Sequence, residues 1–249
     1  MNNNKQTYVW GIPTRLFHWL LFISLVGAYI AEEESLTVHV ALGYSAGILI
    51  SFRFLWGMIG PRYSHFRDFP VGMKSIIEFL KRIGKPTDNY TGHNPPASLV
   101  MLGIMIMVIF VAATGSATLA QEGGIGLLKS FNLPSDIEFK ELHESCVQIL
   151  IGLVVFHLLG IILDLFLHKS NSALKSIFSG YKTGVNSEDI KLNLFQKFFA
   201  FSWFIVPAIA FFVTITGPPI QLNEHEGKGE STEMNDAQGN DDESDNEDD

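Results

Sequence analysis

The chain has a single cysteine, Cys146, in 249 residues. One thiol excludes an internal disulfide, a CxxC metal site and the CxxCH attachment of a covalent c-type haem. Charge is scarce as well: 17% of residues are Asp, Glu, Lys or Arg, against 47% hydrophobic. No apolar stretch alternates with the period of two that a half-buried strand requires. The first apolar stretch also lacks a clear small-x-small cleavage site and follows Arg15 directly, so it reads as a retained helix rather than a signal peptide.

What is present is concentrated in five apolar blocks: Leu16–Ala31, Val38–Ile59, Ala97–Ala120, Cys146–Leu167 and Phe198–Ile215. Each is about long enough to cross a hydrocarbon core of roughly 30 Å. A spanning segment must satisfy its own backbone, so five helices follow and the expected fold class is an all-α membrane protein. The net charge of −9 comes from one place. Residues Asn223–Asp249 hold twelve acids and one lysine, a net of −11, which leaves +2 on everything else. That tail, 223–249, is nearly free of apolar residues and is expected to be disordered.

The remaining charges sort by side. If five helices alternate in direction, Lys5, Arg15, six basic residues between the second and third helices, and five after the fourth all fall on one side. The other side has Lys129, Lys140 and Lys228, with the Glu32-Glu33-Glu34 run. The positive-inside rule makes the N-terminus cytoplasmic and exports the tail, in a multi-pass inner-membrane protein. Within the long inner connection, apolar residues from Val71 to Ile83 recur at helical spacing between Lys74, Glu78, Lys81 and Arg82. This predicts an amphipathic helix over 71–83 on the membrane surface. The following Gly92-His93-Asn94-Pro95-Pro96 reads as a turn, with Asn94 as N-cap of the third helix.

Imidazole inside a span is costly and usually functional. His143 and His157 are fourteen residues apart, about 21 Å and nearly four helical turns, so one helix presents both on one face. With the charge topology, spacing becomes depth. His39 and His143 share the outer level, and His18 and His157 share the inner one; no other pairing keeps both partners at one height. Two depth-matched histidine pairs are the geometry for two bis-histidine haems, and saturated axial ligation favours electron transfer over gas or substrate binding. Along the face of His39 come Gly43, Ala46, Gly47, Ile50, Arg53 and Gly57. Small residues there let a flat macrocycle approach the backbone, or serve plain helix packing. Arg53, fourteen residues after His39, has two readings: a stem that carries its charge to the cytoplasmic surface, or a partner for the inner haem's propionates. His65, His168 and His225 read as solvated, and His93 as a turn residue or as lining a site at the cytoplasmic face.

These residues resemble a known family. Arg15-Leu16-Phe17-His18-Trp19 is similar to its R-x-x-H-W opening, and His39 with Gly43-Tyr44 to its H-x-x-x-G-Y. Arg53-Phe54-Leu55-Trp56-Gly57-Met58-Ile59-Gly60 resembles R-x-x-W-G-x-x-G, and Gly92-His93-Asn94-Pro95 the G-H-N-P turn. His143-Glu144 followed by His157 and Gly160 resembles its fourth-helix pattern. This is the bacterial cytochrome b561 family, which includes the b-type cytochrome subunits of nickel–iron hydrogenases and is related to the gamma subunit of membrane formate dehydrogenases. The likeness covers residues 8–185.

The resemblance implies a four-helix dihaem core with His18, His39, His143 and His157 as axial ligands to two non-covalent haem b groups. It implies electron exchange between a periplasmic redox partner (a hydrogenase, a cytochrome c or a dehydrogenase) and the quinone pool, with the quinone near His18, Arg53 and the His93-Asn94 turn. The expected organisation is a core over 1–190, a fifth transmembrane helix in 191–222 and the acidic tail over 223–249. Membrane lipid is a partner and nucleic acid is not. An alternative makes the chain a stand-alone quinone-linked oxidoreductase oxidising a small reductant such as superoxide, against which the outer acidic residues argue. A metal transporter is the third reading, and His143-Glu144-Ser145-Cys146-Val147 is not its H-E-x-x-H.

Overall fold

The computed structural model describes residues 6–82, 91–167, 172–183, 185 and 187–222. The acidic tail, the last residue of the 71–83 segment, His168 and His225 lie outside the described residues. Five long helices cover the apolar blocks: α1 (Ile12–Glu34), α2 (Leu36–Ile59), α4 (Pro95–Gly123), α5 (Phe139–Leu167) and α7 (Leu194–Thr216). Each is long and apolar enough to cross a membrane. The amphipathic segment forms α3 (Met73–Arg82), and α6 (Ala173–Ser179) is a short helix before the fifth span.

The helices extend past their apolar runs because local caps, not hydropathy, set their ends. Pro13 sits in the first turn of α1, where a missing N–H costs nothing. Ser35, extended at φ −160°, ends α1 and caps α2 by accepting the Val38 amide, so one residue joins two antiparallel spans. Asn94 Oδ1 accepts the Ala97 amide at 2.8 Å and starts α4, which ends at Gly124 in the left-handed region. α5 begins seven residues before the apolar run, and this places His143 inside the helix rather than at its edge.

α1 packs on α2 and α4 on α5; the two hairpins meet along α2 and α4, and α7 lies against α2. An aromatic column makes the α2–α7 seam. Phe52, fully buried, lies 4.7 Å from the Phe204 ring centroid and 5.3 Å from that of Trp56, and Trp56 stacks on Phe199. The seam is also hydrogen-bonded: Trp203 Nε1 donates to the Ile48 carbonyl at 3.2 Å and Gln196 Nε2 to the Ile59 carbonyl at 2.8 Å.

Two strands absent from the sequence reading close one end. β1 (Gln6–Tyr8) pairs antiparallel with β2 (Tyr181–Thr183), which ties the chain ahead of α1 to the chain after α6. This end carries the arginines and lysines of the inner connections and is called the basic end below; the opposite end is the acidic end. Replacing Phe52 by alanine leaves a void where α1, α2 and α7 meet, and about 3–5 kcal/mol of stability should go with it. Thermal unfolding in detergent should show that loss, whereas Phe212→Ala on the exposed face of α7 should leave the midpoint near wild type.

Candidate functional site

At the acidic end the His39 and His143 rings face each other, with centroids 6.1 Å apart and planes at 81°. Each ring is fixed through the same nitrogen. His39 Nδ1 donates to the Ala28 carbonyl of α1 at 2.9 Å, and His143 Nδ1 donates to the Val111 carbonyl of α4 at 3.0 Å. A carbonyl only accepts, so the proton is on Nδ1 and the Nε2 lone pair is free on both rings. Thr114 Oγ1 lies 3.2 Å from the same His143 nitrogen. Gly115 makes the approach possible: a Cβ there would stand 2.9 Å from His143 Cε1. Gly43, one turn after His39, meets nothing within 4 Å where its Cβ would be. Of the other small residues on that face, Gly47 lies against Ala112 and Gly57 is filled by the Phe66 ring, so those two serve helix and loop packing.

The second pair lies toward the basic end. His18, in the second turn of α1, and His157 of α5 are close enough to interact electrostatically. His18 Nδ1 is enclosed and has no hydrogen-bond partner; its ring stands edge-on to Trp19 at 5.2 Å. His157 is half-buried on a helix of which little is covered, and Gly160 beside it opens onto free space. The structure therefore sets His39 against His143, whereas His157 lies within electrostatic range of both His18 and His93.

Arg53 does not reach the surface. It is 3% exposed, its Nη1 donates to the Ser64 carbonyl at 3.1 Å, and its guanidinium carbon sits 5.0 Å and 5.7 Å from the centroids of Phe66 and Phe69. The surface-reaching stem is thereby excluded. Among the described residues no carboxylate forms an ion pair with it. His93 packs between Trp10 and Phe69, with centroids at 4.7 and 5.1 Å, and its Nδ1 is enclosed without a partner. Burial, with Arg53, Lys182 and His157 nearby, pushes the His93 imidazole down to about 3, so the ring is neutral. Lys182 is buried too, its ammonium donating to the Gly92 carbonyl at 3.0 Å; desolvation pushes it down to about 8 while Asp164 pulls the other way.

His65, expected to be solvated, is half-buried with Nδ1 3.7 Å from the Asp68 carboxylate. The same Asp68 accepts the Tyr63 amide, which fixes the turn after α2 where Tyr63 holds φ 68°. Sequence reasoning missed the Ala28 and Val111 carbonyls, Thr114, Gly115, and the Phe66–Phe69 seat of Arg53. Only Thr114-Gly115 carried a signal, the start of a Thr-Gly-Ser-Ala-Thr stretch of small residues late in an apolar run.

Five helices long and apolar enough to cross a membrane, with a close histidine pair toward one end, make a polytopic membrane protein of the kind to which b-type cytochromes belong. The chain belongs to the prokaryotic cytochrome b561 family, whose model matches residues 9–180. It is 26% identical over 158 residues to the probable Ni/Fe-hydrogenase 1 B-type cytochrome subunit of Escherichia coli (strain K12), covering 52% of this chain and 67% of that protein. It is 29% identical over 158 residues to the probable Ni/Fe-hydrogenase B-type cytochrome subunit of Azotobacter chroococcum mcd 1, covering 49% and 64%. No solved structure matches.

A side chain at position 115 has to displace the His143 ring. Gly115→Val should lower the ratio of haem b to protein in the purified cytochrome, read from the optical spectrum. Gly103→Ala, on the same helix with the Leu153 side chain at an ordinary 3.5 Å, should keep it.

Proposed function

We propose that this protein is a dihaem electron carrier, with His39 and His143 ligating one haem b and His18 and His157 the other. The carrying observation is the acidic-end pair. These rings stand with centroids 6.1 Å apart and both Nδ1 atoms already engaged, so the remaining nitrogen of each is the one that would hold an iron. The open flank of Gly43 and the orphaned His18 Nδ1 also fit such a group. A bis-histidine haem supplies one-electron chemistry with no open coordination site.

The chain's part is to orient the rings, keep water from them and set the two ends of the path. The acidic end receives a periplasmic redox partner; a hydrogenase is the first candidate, since the relatives are described as hydrogenase subunits. The basic end, cytoplasmic by the distribution of lysine and arginine, exchanges electrons with a quinone near His18, Arg53 and the His93-Asn94 turn. Arg53, buried and in no ion pair among the described residues, is the charge partner of the basic-end haem. Residues 1–190 form the dihaem core, and α7 and the 223–249 tail are additions to it. Superoxide oxidation is disfavoured by the site's surroundings: Glu32 and Glu144 are within electrostatic range of His143, where an anion would have to approach.

A pyridine haemochrome assay on the purified chain should return about two b haems per polypeptide, and His157→Ala or His39→Ala should each remove one. A wild-type ratio of one, or full occupancy in both variants, overturns the ligand assignment.

A further inference from the structure

Among the described residues, seven buried side-chain polar atoms have no hydrogen-bond partner, and they are unevenly placed. Arg15 Nε, His18 Nδ1, Tyr63 OH, His65 Nδ1, His93 Nδ1 and Ser98 Oγ lie at the basic end, with Tyr44 OH alone toward the acidic end. Native proteins rarely leave such atoms unpaired, so each calls for an occupant. The acidic-end histidines have no such debt, because their Nδ1 atoms are bonded to carbonyls. Whatever satisfies the basic end is therefore polar and specific to that end.

Two neighbouring groups narrow its chemistry. Arg53 is a guanidinium 3% exposed, held by one carbonyl and two aromatic rings, with no acid to balance it among the described residues. A buried charge left unpaired costs several kcal/mol, so the missing occupant is an anion. His93 is within electrostatic range of both Arg53 and His157, and Trp10 and Phe69 hold its ring in place. A neutral imidazole whose enclosed nitrogen is free has one N–H to offer an acceptor. Lys182, also near His93, is bonded to Gly92 and acts with Asp164, so it is engaged elsewhere.

We propose that Arg53 and His93 together form a carboxylate clamp that holds a propionate of the haem ligated by His18 and His157. The proposal rests on the dihaem reading. Arg53 supplies the charge; His93 is a positioning residue that completes the hydrogen bonding of the same carboxylate. Phe66, filling the space beside Gly57, and Phe69 keep the guanidinium from turning toward solvent. At the acidic end the same tie runs instead from each ring to a helix carbonyl.

The test is a redox titration of the full-length haem-loaded protein in detergent, followed at the α-band of each haem. The His157→Ala variant identifies which component belongs to the basic end. Removing a donor from a propionate leaves more negative charge beside the iron, which favours the oxidised form. Arg53→Gln and His93→Met should each lower the basic-end potential, by a tenfold change in the reduced-to-oxidised ratio at fixed potential for Arg53→Gln, which is about 59 mV for one electron. His93→Met should give a threefold change, and His93→Gln, which keeps an N–H donor, should stay near wild type. The acidic-end component should not move.

An unchanged basic-end potential in His93→Met, or an equal shift of both components, overturns the clamp while leaving the dihaem reading standing. A His93→Met protein that loads only the acidic-end haem, with His93→Gln loading both, supports the clamp more strongly. Loss of both haems in both His93 variants overturns it, because a clamp at one end has no hold on the other. A wild-type protein without two b haems removes the dihaem reading and the clamp with it.

Discussion

An imidazole in an apolar slab must place its N–H before it can offer its lone pair, and the acidic-end site is built around that requirement. A free N–H in hydrocarbon costs several kcal/mol, and a helix normally has no carbonyl to spare. His39 and His143 each find one by crossing to the neighbouring helix, Ala28 on α1 and Val111 on α4. The bond fixes tautomer and ring orientation together and leaves the Nε2 lone pair of each ring free. The one-residue link at Ser35 serves that geometry because it brings the start of α2 back against the end of α1. Gly115 serves it by letting the His143 ring lie against α4.

The basic end meets its demands differently. Among the described residues its histidines lack such carbonyl bonds, its arginine is buried beside two phenylalanines, and most of the unpartnered polar atoms collect there. Low dielectric makes such a cluster costly when half satisfied and rigid when complete. The two ends of the bundle therefore differ in their electrostatic surroundings. The acidic end carries Glu32 and Glu144 within electrostatic range of His143; the basic end carries Arg53 and Lys182 within range of His93.

Much of this was legible before any coordinates. Five apolar runs gave five spans, because a segment in lipid has few ways to satisfy its backbone. The fourteen-residue spacing from His143 to His157 became a depth difference once the lysines and arginines had sorted the connections. What stayed hidden depends on how helices cross. The carbonyl that receives an Nδ1–H comes from another helix, and no periodicity along one chain names it. Arg53 had two readings at sequence level, and the loop after α2 decided between them by wrapping Phe66 and Phe69 over the guanidinium. The glycines on the His39 face looked alike in sequence and are not: Gly43 is open, Gly47 touches α4, and Gly57 receives Phe66. β1 and β2 are three residues each and pair across most of the chain, too short and too distant to leave a pattern.

The fifth helix can be placed by the same physics. The family match ends at residue 180, so α7 lies outside it. Yet α7 is not loosely attached, since it meets α2 through stacked aromatics, an indole-to-carbonyl bond, and a glutamine that closes the carbonyl of Ile59 at the last turn of α2. In lipid, where apolar surface alone gives little reason to associate, packing and hydrogen bonds of this kind are what hold helices together. They fall on α2, the helix that carries His39, Gly43 and Arg53. They join α7 to a helix with residues toward both ends of the bundle, His39 at the acidic end and Arg53 at the basic one. Its own outward face, with Phe198, Phe201, Phe212 and Val213 exposed, is left to the membrane.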